Sequence, residues 1–259
     1  MFKKKKRLIV ISAIIITITG IAVFLFFFPG ESFIAPAKSK VILVNHPPRI
    51  SDVMPYIQDG DIILRMTAGT WSRSFREYSL VDKRFSHCGI VRMRDDKVTI
   101  INALGSFSNP NMGVEETILR HFVIIGSAVG IFRIRGVDGS AISDAAAQCI
   151  GRPFDFDFDL EDDSKVYCTE LLYISLKAVN SEHILPTIYV DQVSKDVIPI
   201  DSISNNPAID ELVYIVDQTA ERIDQENQVV LKRDNPIKVS FIQRMVINLW
   251  GIKKLFQKK

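Results

Sequence analysis

Two side chains in this sequence have the setting that thiol chemistry requires: Cys168, in KVYCTELLYISLKAVN, and His87, in RFSHCGIVRM. The thiolate, not the thiol, attacks a carbonyl carbon, and it forms more readily at a helix N-terminus, where unpaired N–H groups and the macrodipole favour negative charge. Leu171, Leu172, Ile174, Ser175, Leu176 and Ala178 follow the cysteine with little polar face. Lys165 to Asn180 therefore reads as a helix buried on most sides, with Cys168 in its first turn. Such a nucleophile needs a base. Of the four histidines, His46 falls in a proline-rich stretch and His121 and His183 at helix ends, whereas His87 sits mid-strand, where a side chain is held rigidly. A cysteine inside a helix is more often an inert core residue than a nucleophile, so the surroundings must carry the functional reading.

Periodicity predicts the elements that position this pair. Gly60-Asp61 leads into the short apolar strand IILRM, and Thr67 to Leu80 has Trp71, Phe75 and Tyr78 at helical spacing. The His87 strand, the Asp95-Asp96 turn and VTIINAL form an antiparallel hairpin. Alternation then puts Ser86, Cys88 and Ile90 on one face and His87, Gly89 and Val91 on the other, so His87 and Cys88 cannot share a site by simple adjacency. Glu115 to Phe122 reads as a short helix, residues 128–135 as a strand, and Ser143 to Ile150 as a helix capped by a serine or aspartate and stopped by Gly151 and Pro153. Val197 to Ile200 and Leu212 to Val216 read as later strands that complete a sheet.

The ends differ from the middle. Residues 3–7 carry +5, and Leu8 to Phe28 is an uncharged run of 21 residues, long enough to cross a bilayer. Basic residues before such a span predict a cytoplasmic N-terminus, so the remainder is expected outside the cytoplasm, on the periplasmic side of an inner membrane. The run exceeds a secretory h-region, which favours an uncleaved anchor over a signal peptide. Pro29 to Pro55 holds five prolines and reads as a stalk. Residues 237–259 carry +6 with no acid, and Phe241, Met245, Leu249, Ile252 and Phe256 recur at three- and four-residue steps, the pattern of an interfacial amphipathic helix. With a net charge of +2, residues 8–236 are left at −9, an acidic body between basic ends that argues against a nucleic-acid partner and for a nearby anionic membrane. The organisation predicted is an anchor over 1–28, a stalk over 29–58, a catalytic domain over 59–219 and a charged linker with basic tail over 220–259.

Three cysteines, Cys88, Cys149 and Cys168, cannot all pair, so at least one thiol stays free. His-Glu-x-x-His, Cys-x-x-Cys, a phosphate loop and a Gly-x-Ser-x-Gly elbow are all missing from the sequence. Asp155, Asp157 and Asp159 suggest a calcium loop, but Leu160 and Val166 stand where that loop needs glycine and glutamate. A solvated turn with Phe154, Phe156 and Phe158 pinned to the core is expected instead. Neither a metal nor a cofactor is expected.

The series GDIIL, SHCGIV, INAL, GRPFDFDF and YCTELLY, over roughly Asp59 to Ile215, resembles the circularly permuted papain-like amidases, the YiiX/YebB-like branch of the NlpC superfamily of cell-wall and lipid hydrolases. The resemblance implies an α+β fold in which the histidine strand precedes the cysteine helix and that helix packs on an antiparallel sheet. It implies Cys168 as nucleophile, His87 as base and a third, orienting residue on the strand after the histidine. That third residue is commonly acidic in the family, and this chain has Asn102 there; an asparagine accepts the imidazole hydrogen bond without adding charge. The expectation is a membrane-anchored cysteine peptidase or amidase-like hydrolase acting on a cell-wall peptide or a lipid. The alternatives are a non-catalytic binding or scaffold module of the same fold, and acyl transfer to an acceptor other than water.

Overall fold

A computed structural model describes residues 39–67, 76, 79, 81–106, 109, 112–190 and 194–220. The apolar run at 8–28, the helix expected over Thr67 to Leu80 and the amphipathic tail lie outside, or almost wholly outside, the described residues. Among the described residues no helix is long and apolar enough to cross a membrane.

A seven-stranded sheet organises the domain. Its strands are β1 (Lys40–Val44), β2 (Ile62–Met66), β3 (His87–Arg94), β4 (Lys97–Ala103), β5 (Val114–Ile118), β6 (Ala128–Ile134) and β9 (Ile209–Asp217), in the order β1-β9-β6-β2-β3-β4-β5. The β1–β9 pair is parallel and the rest are antiparallel. β7 (Ile188–Val190) and β8 (Lys195–Val197) form a separate hairpin. The helices are α1 (Ile50–Val53), α2 (Leu119–Ile124), α3 (Gly139–Ala147), α4 (Cys168–Ala178) and α5 (Asp201–Ser204).

Each face of the sheet has its own core. On one, Ile62, Leu64, Cys88, Ile90, Ile101 and Phe132 pack with Ile142 and Ala146 of α3 and with Leu171, Leu172 and Leu176 of α4. On the other, Ile63, Val91, Ile100 and Ile131 pack with Leu119, Phe122 and Val123 of α2. Helix α4 buries three leucines completely, each worth about 1.5–3 kcal/mol of transfer free energy, and this seats its first turn firmly on the sheet. Gly60, at φ 79°, lets the chain enter β2 against α3, because a Cβ there would lie 2.0 Å from the Gly139 carbonyl oxygen.

Several expectations are corrected. The stretch read as a stalk contains β1, which joins the sheet beside β9, and α1, whose Val53 is fully buried, so the domain includes residues from Lys40 onward. Residues 115–118, read as helix, form the edge strand β5, and the helix starts only at Leu119. Helix α3 starts at Gly139 rather than Ser143, capped by Asp138, whose carboxylate accepts from the Ser140 N–H at 3.0 Å. Val197 to Ile200 adds no strand to the main sheet: Val197 ends the small hairpin, and β9 completes the large one. The loop before α4 is not a solvated turn at Asp155, which is 1% exposed and accepts the N–H groups of Asp157 and Asp159 at 2.8 and 2.6 Å. Phe154 and Phe158 are buried in the core as expected, with Phe156 packed against it.

Candidate active site

The α4 helix brings Cys168 to the sheet from a fixed loop. Val114 donates to the Arg152 carbonyl, Phe154 to that of Met112 and Val166 to that of Pro153, so the chain is held to β5 just before the helix begins. Glu170, in the first turn, accepts the Tyr167 N–H at 3.0 Å, and the Tyr167 hydroxyl accepts the Ile198 N–H at 3.0 Å. These bonds define the helix start, with Cys168 as its first residue.

His87 is the first residue of β3, at the strand end, where a side chain of one face can reach a group packed on the other. Its Nε2 lies 3.1 Å from Asn102 Oδ1, which leaves Nδ1 for the thiol. Its ring lies against Phe122, with centroids 5.7 Å apart. Gly89 is required between them: a Cβ there would stand 2.4 Å from Ile100 Cγ2 and 3.2 Å from Phe122 Cε2, the ring that supports His87.

Asn102 is 1% exposed, and its amide is fixed from behind. Nδ2 donates to Thr117 Oγ1 at 3.0 Å, and Thr117 Oγ1 donates to Glu115 Oε1 at 2.9 Å. Because Nδ2 is so occupied, Oδ1 is the atom turned to His87. Glu115 and Thr117 were hidden from sequence reasoning, since reading them as helical removed the alternation that sets both on one face of β5. The register places Asn102 opposite Glu115.

Cys168 interacts with two consecutive residues of β3. Its thiol is held well below the usual cysteine range, first by a hydrogen bond from the Cys88 thiol, then by the hydrogen bond and charge of His87 and by the Cys88 N–H; burial opposes all of these. Cys88, 1% exposed, is pushed in the opposite direction, by burial and by the neighbouring Cys168 sulfur. Its Sγ also lies 2.9 Å from the Cys168 carbonyl oxygen. His87 and Cys88 therefore share a site, though not by simple adjacency along the strand. Cys88 lies beneath Cys168 on the helix-covered face, and His87 reaches the same sulfur from the strand end. Cys149, just past α3, is buried with its thiol raised, chiefly by burial.

Sequence reasoning also passed over Arg65, which pairs with His87 in the β2–β3 register. It is 6% exposed, its guanidinium carbon stands 4.1 Å from the centroid of the Phe122 ring, and Nη1 donates to the Phe122 carbonyl at 3.1 Å. The signal available was a charged residue inside the apolar strand IILRM.

The arrangement can supply a thiolate at a helix N-terminus, an imidazole beside it and an amide that fixes the imidazole tautomer. Among the described residues, no group of three or more His, Cys, Asp or Glu side chains is placed to hold a metal ion.

The uncharacterized protein YiiX of Escherichia coli is 27% identical over 123 residues, 45% of this chain and 55% of that one, so the match spans little more than half of the relative's length. A crystal structure described as that of the metalloprotein yiiX from Escherichia coli O157:H7 superposes with a TM-score of 0.48 at 19% identity, over 60% of this chain and 96% of that one. Residues 56–211, which hold Cys168, His87 and Asn102, match the model of the permuted papain-like amidase enzymes of the YaeF/YiiX family, and the chain belongs to that family.

Proposed function

We propose that this chain is a thiol hydrolase that cleaves an amide or ester bond through an acyl-enzyme on Cys168, held at a membrane by residues 8–28 with its catalytic domain outside the cytoplasm. The Cys168 thiolate attacks the carbonyl carbon and the carbonyl π electrons move to oxygen. Collapse of that oxyanion expels the amine or alcohol, which takes its proton from His87. A water deprotonated by His87 then attacks the thioester, and the acid leaves as the Cys168 thiolate is restored. Backbone N–H groups at the start of α4 stabilise the oxyanion. Asn102 holds the imidazole tautomer without touching substrate, which makes it a positioning residue.

One observation carries the reading: Cys168 is the first residue of helix α4, beside an imidazole whose Nε2 lies 3.1 Å from Asn102 Oδ1 and whose Nδ1 is left for the thiol, a setting that Cys149, just past α3, does not have. The substrate is a cell-wall peptide or a lipid acyl chain. The test is to incubate the full-length protein with two electrophilic probes, one a peptide amide and one a lipid amide, and to locate the adduct by mass. An adduct on Cys168, lost in His87→Ala, is expected. A protein that stays unmodified by both, or an adduct that forms equally without His87, would remove the hydrolase reading.

A further inference from the structure

Arg65 is a buried cation that no carboxylate answers among the described residues. Its Nε is buried and makes no hydrogen bond, and among the described residues no carboxylate is ion-paired with it. What it has is the face of Phe122 and one backbone carbonyl. Desolvation lowers its guanidinium to about 10, still charged at neutral pH, and the Cys168 thiolate is the charge among the described residues that raises it. Leaving a guanidinium buried and short of a partner is costly, so such a group is retained where an anion is supplied from elsewhere.

The acyl-enzyme sharpens this. In the resting site the thiolate answers Arg65, but acylation converts that thiolate into a neutral thioester, and the guanidinium then faces no anion among the described residues. A substrate that brings its own anionic group removes the deficit at the step where it arises. The planar fork, 4.1 Å over the Phe122 ring and paired with His87 in the β2–β3 register, suits a carboxylate or phosphate oxygen rather than a neutral amide.

We propose that Arg65 forms an anion subsite of the Cys168 centre, and that the substrate carries a carboxylate or phosphate group close to the scissile amide or ester. This rests on Cys168 being the nucleophile. A substrate with only neutral groups at that position binds poorly, because nothing then answers the buried charge.

The test needs no known substrate. Iodoacetate and iodoacetamide alkylate a thiolate by the same displacement of iodide and differ in whether the reagent is an anion. The rates at Cys168 are measured by mass on the full-length protein in neutral detergent at pH 7. The ratio of the iodoacetate to the iodoacetamide rate is expected to be about tenfold higher in the wild type than in Arg65→Gln, the size of one charge-assisted contact, with Arg65→Lys in between. An equal ratio in wild type and Arg65→Gln overturns the subsite. Should Arg65→Gln fail to fold, competition on the wild type decides. Protection of Cys168 from iodoacetamide by acetate points to a carboxylate, protection by inorganic phosphate points to a phosphate, and protection by neither overturns the proposal. His87→Ala separates the two ideas, since an unchanged iodoacetamide rate there rejects the thiol–imidazole pair while the charge ratio still reports on Arg65.

Discussion

The two halves of the candidate site are built differently. The thiol half is local: Tyr167, Cys168, Thr169 and Glu170 are consecutive, and the start of one helix provides the dipole and the Glu170 bond to the Tyr167 N–H. The imidazole half is assembled from five segments, with Arg65 from β2, His87 from β3, Asn102 from β4, Thr117 and Glu115 from β5, and Phe122 from α2. The thiol half depends on where a helix begins, and the imidazole half on strand register. A one-residue slip of β4 would turn Asn102 to the opposite face. Polar groups also fare differently in the two halves. Asn102 has its oxygen and its NH2 engaged, whereas Glu170 keeps Oε1 buried without a partner and is pushed up to about 8, first by burial and further by Asp155, Asp163 and Asp159. Each half thus leaves one buried polar atom without a partner, Arg65 Nε in the imidazole half and Glu170 Oε1 in the thiol half.

The largest expected effect breaks the connection between the halves. His87→Ala should slow iodoacetamide labelling of Cys168 and any hydrolytic turnover by about 10²–10⁴, the usual loss for a general base, with the folded state retained by circular dichroism. In the wild type at pH 6, mass mapping should find Cys168 labelled before Cys88 and Cys149; a different order would break the comparison.

The next effect lies wholly in the thiol half and concerns stability. Because the Glu170 pKa in the folded state lies above 4.5, the folded protein binds the extra proton between about pH 4.5 and 8, and stability falls as pH rises through that window. The loss from pH 5 to 8 is expected to be on the order of 3 kcal/mol, read from urea midpoints, and Glu170→Gln should flatten the slope. A slope unchanged in the variant would show that Glu170 is as comfortable as Asn102.

In the imidazole half, Asn102→Leu should cost about 1–3 kcal/mol of transition-state stabilisation through loss of the bond that fixes the tautomer. Asn102→Asp should retain turnover or improve it, by adding the charge the asparagine lacks. Steady-state kinetics on both variants, with the acid limb of the pH profile, separates positioning from simple destabilisation. A leucine variant with unaltered kcat/KM would mean that another group orients His87.

The smallest effect tests Cys88. Cys88→Ala removes a thiol whose single proton the Cys168 carbonyl oxygen, 2.9 Å away, and the Cys168 sulfur share, so the acid limb of iodoacetamide labelling should move to higher pH by an amount equivalent to at most about 1 kcal/mol. A shift to lower pH would mean that the neighbouring thiol raises, rather than lowers, the nucleophile.

The difference between the halves also explains what could be read in advance. Cys168 at a helix start was legible, because a long apolar stretch after a polar loop is a local signal. IILRM, the β3–β4 hairpin and the strand at 128–134 were legible for the same reason. Asn102 came within reach only through the family resemblance. β5 was not legible: Val-Glu-Glu-Thr-Ile, an edge strand with both glutamates exposed, has a helix-like composition until β4 pairs with it. β1 hid among prolines for a related reason, since it becomes a strand by lying parallel to β9, some 170 residues further along the chain.

By itself the sequence determined the residue types and the local geometry: a thiol at a helix N-terminus, an imidazole on a strand, a glycine between His87 and Ile90, and apolar periodicities sufficient for two cores. The tertiary structure decided which of these meet. Alternation along β3 separates His87 from Cys88, and only the end of the strand against α4 brings both to one sulfur. It also decided that Arg65 is buried beside them with no carboxylate among the described residues, because burial and pairing are properties of neighbours far apart in the chain rather than of the residue.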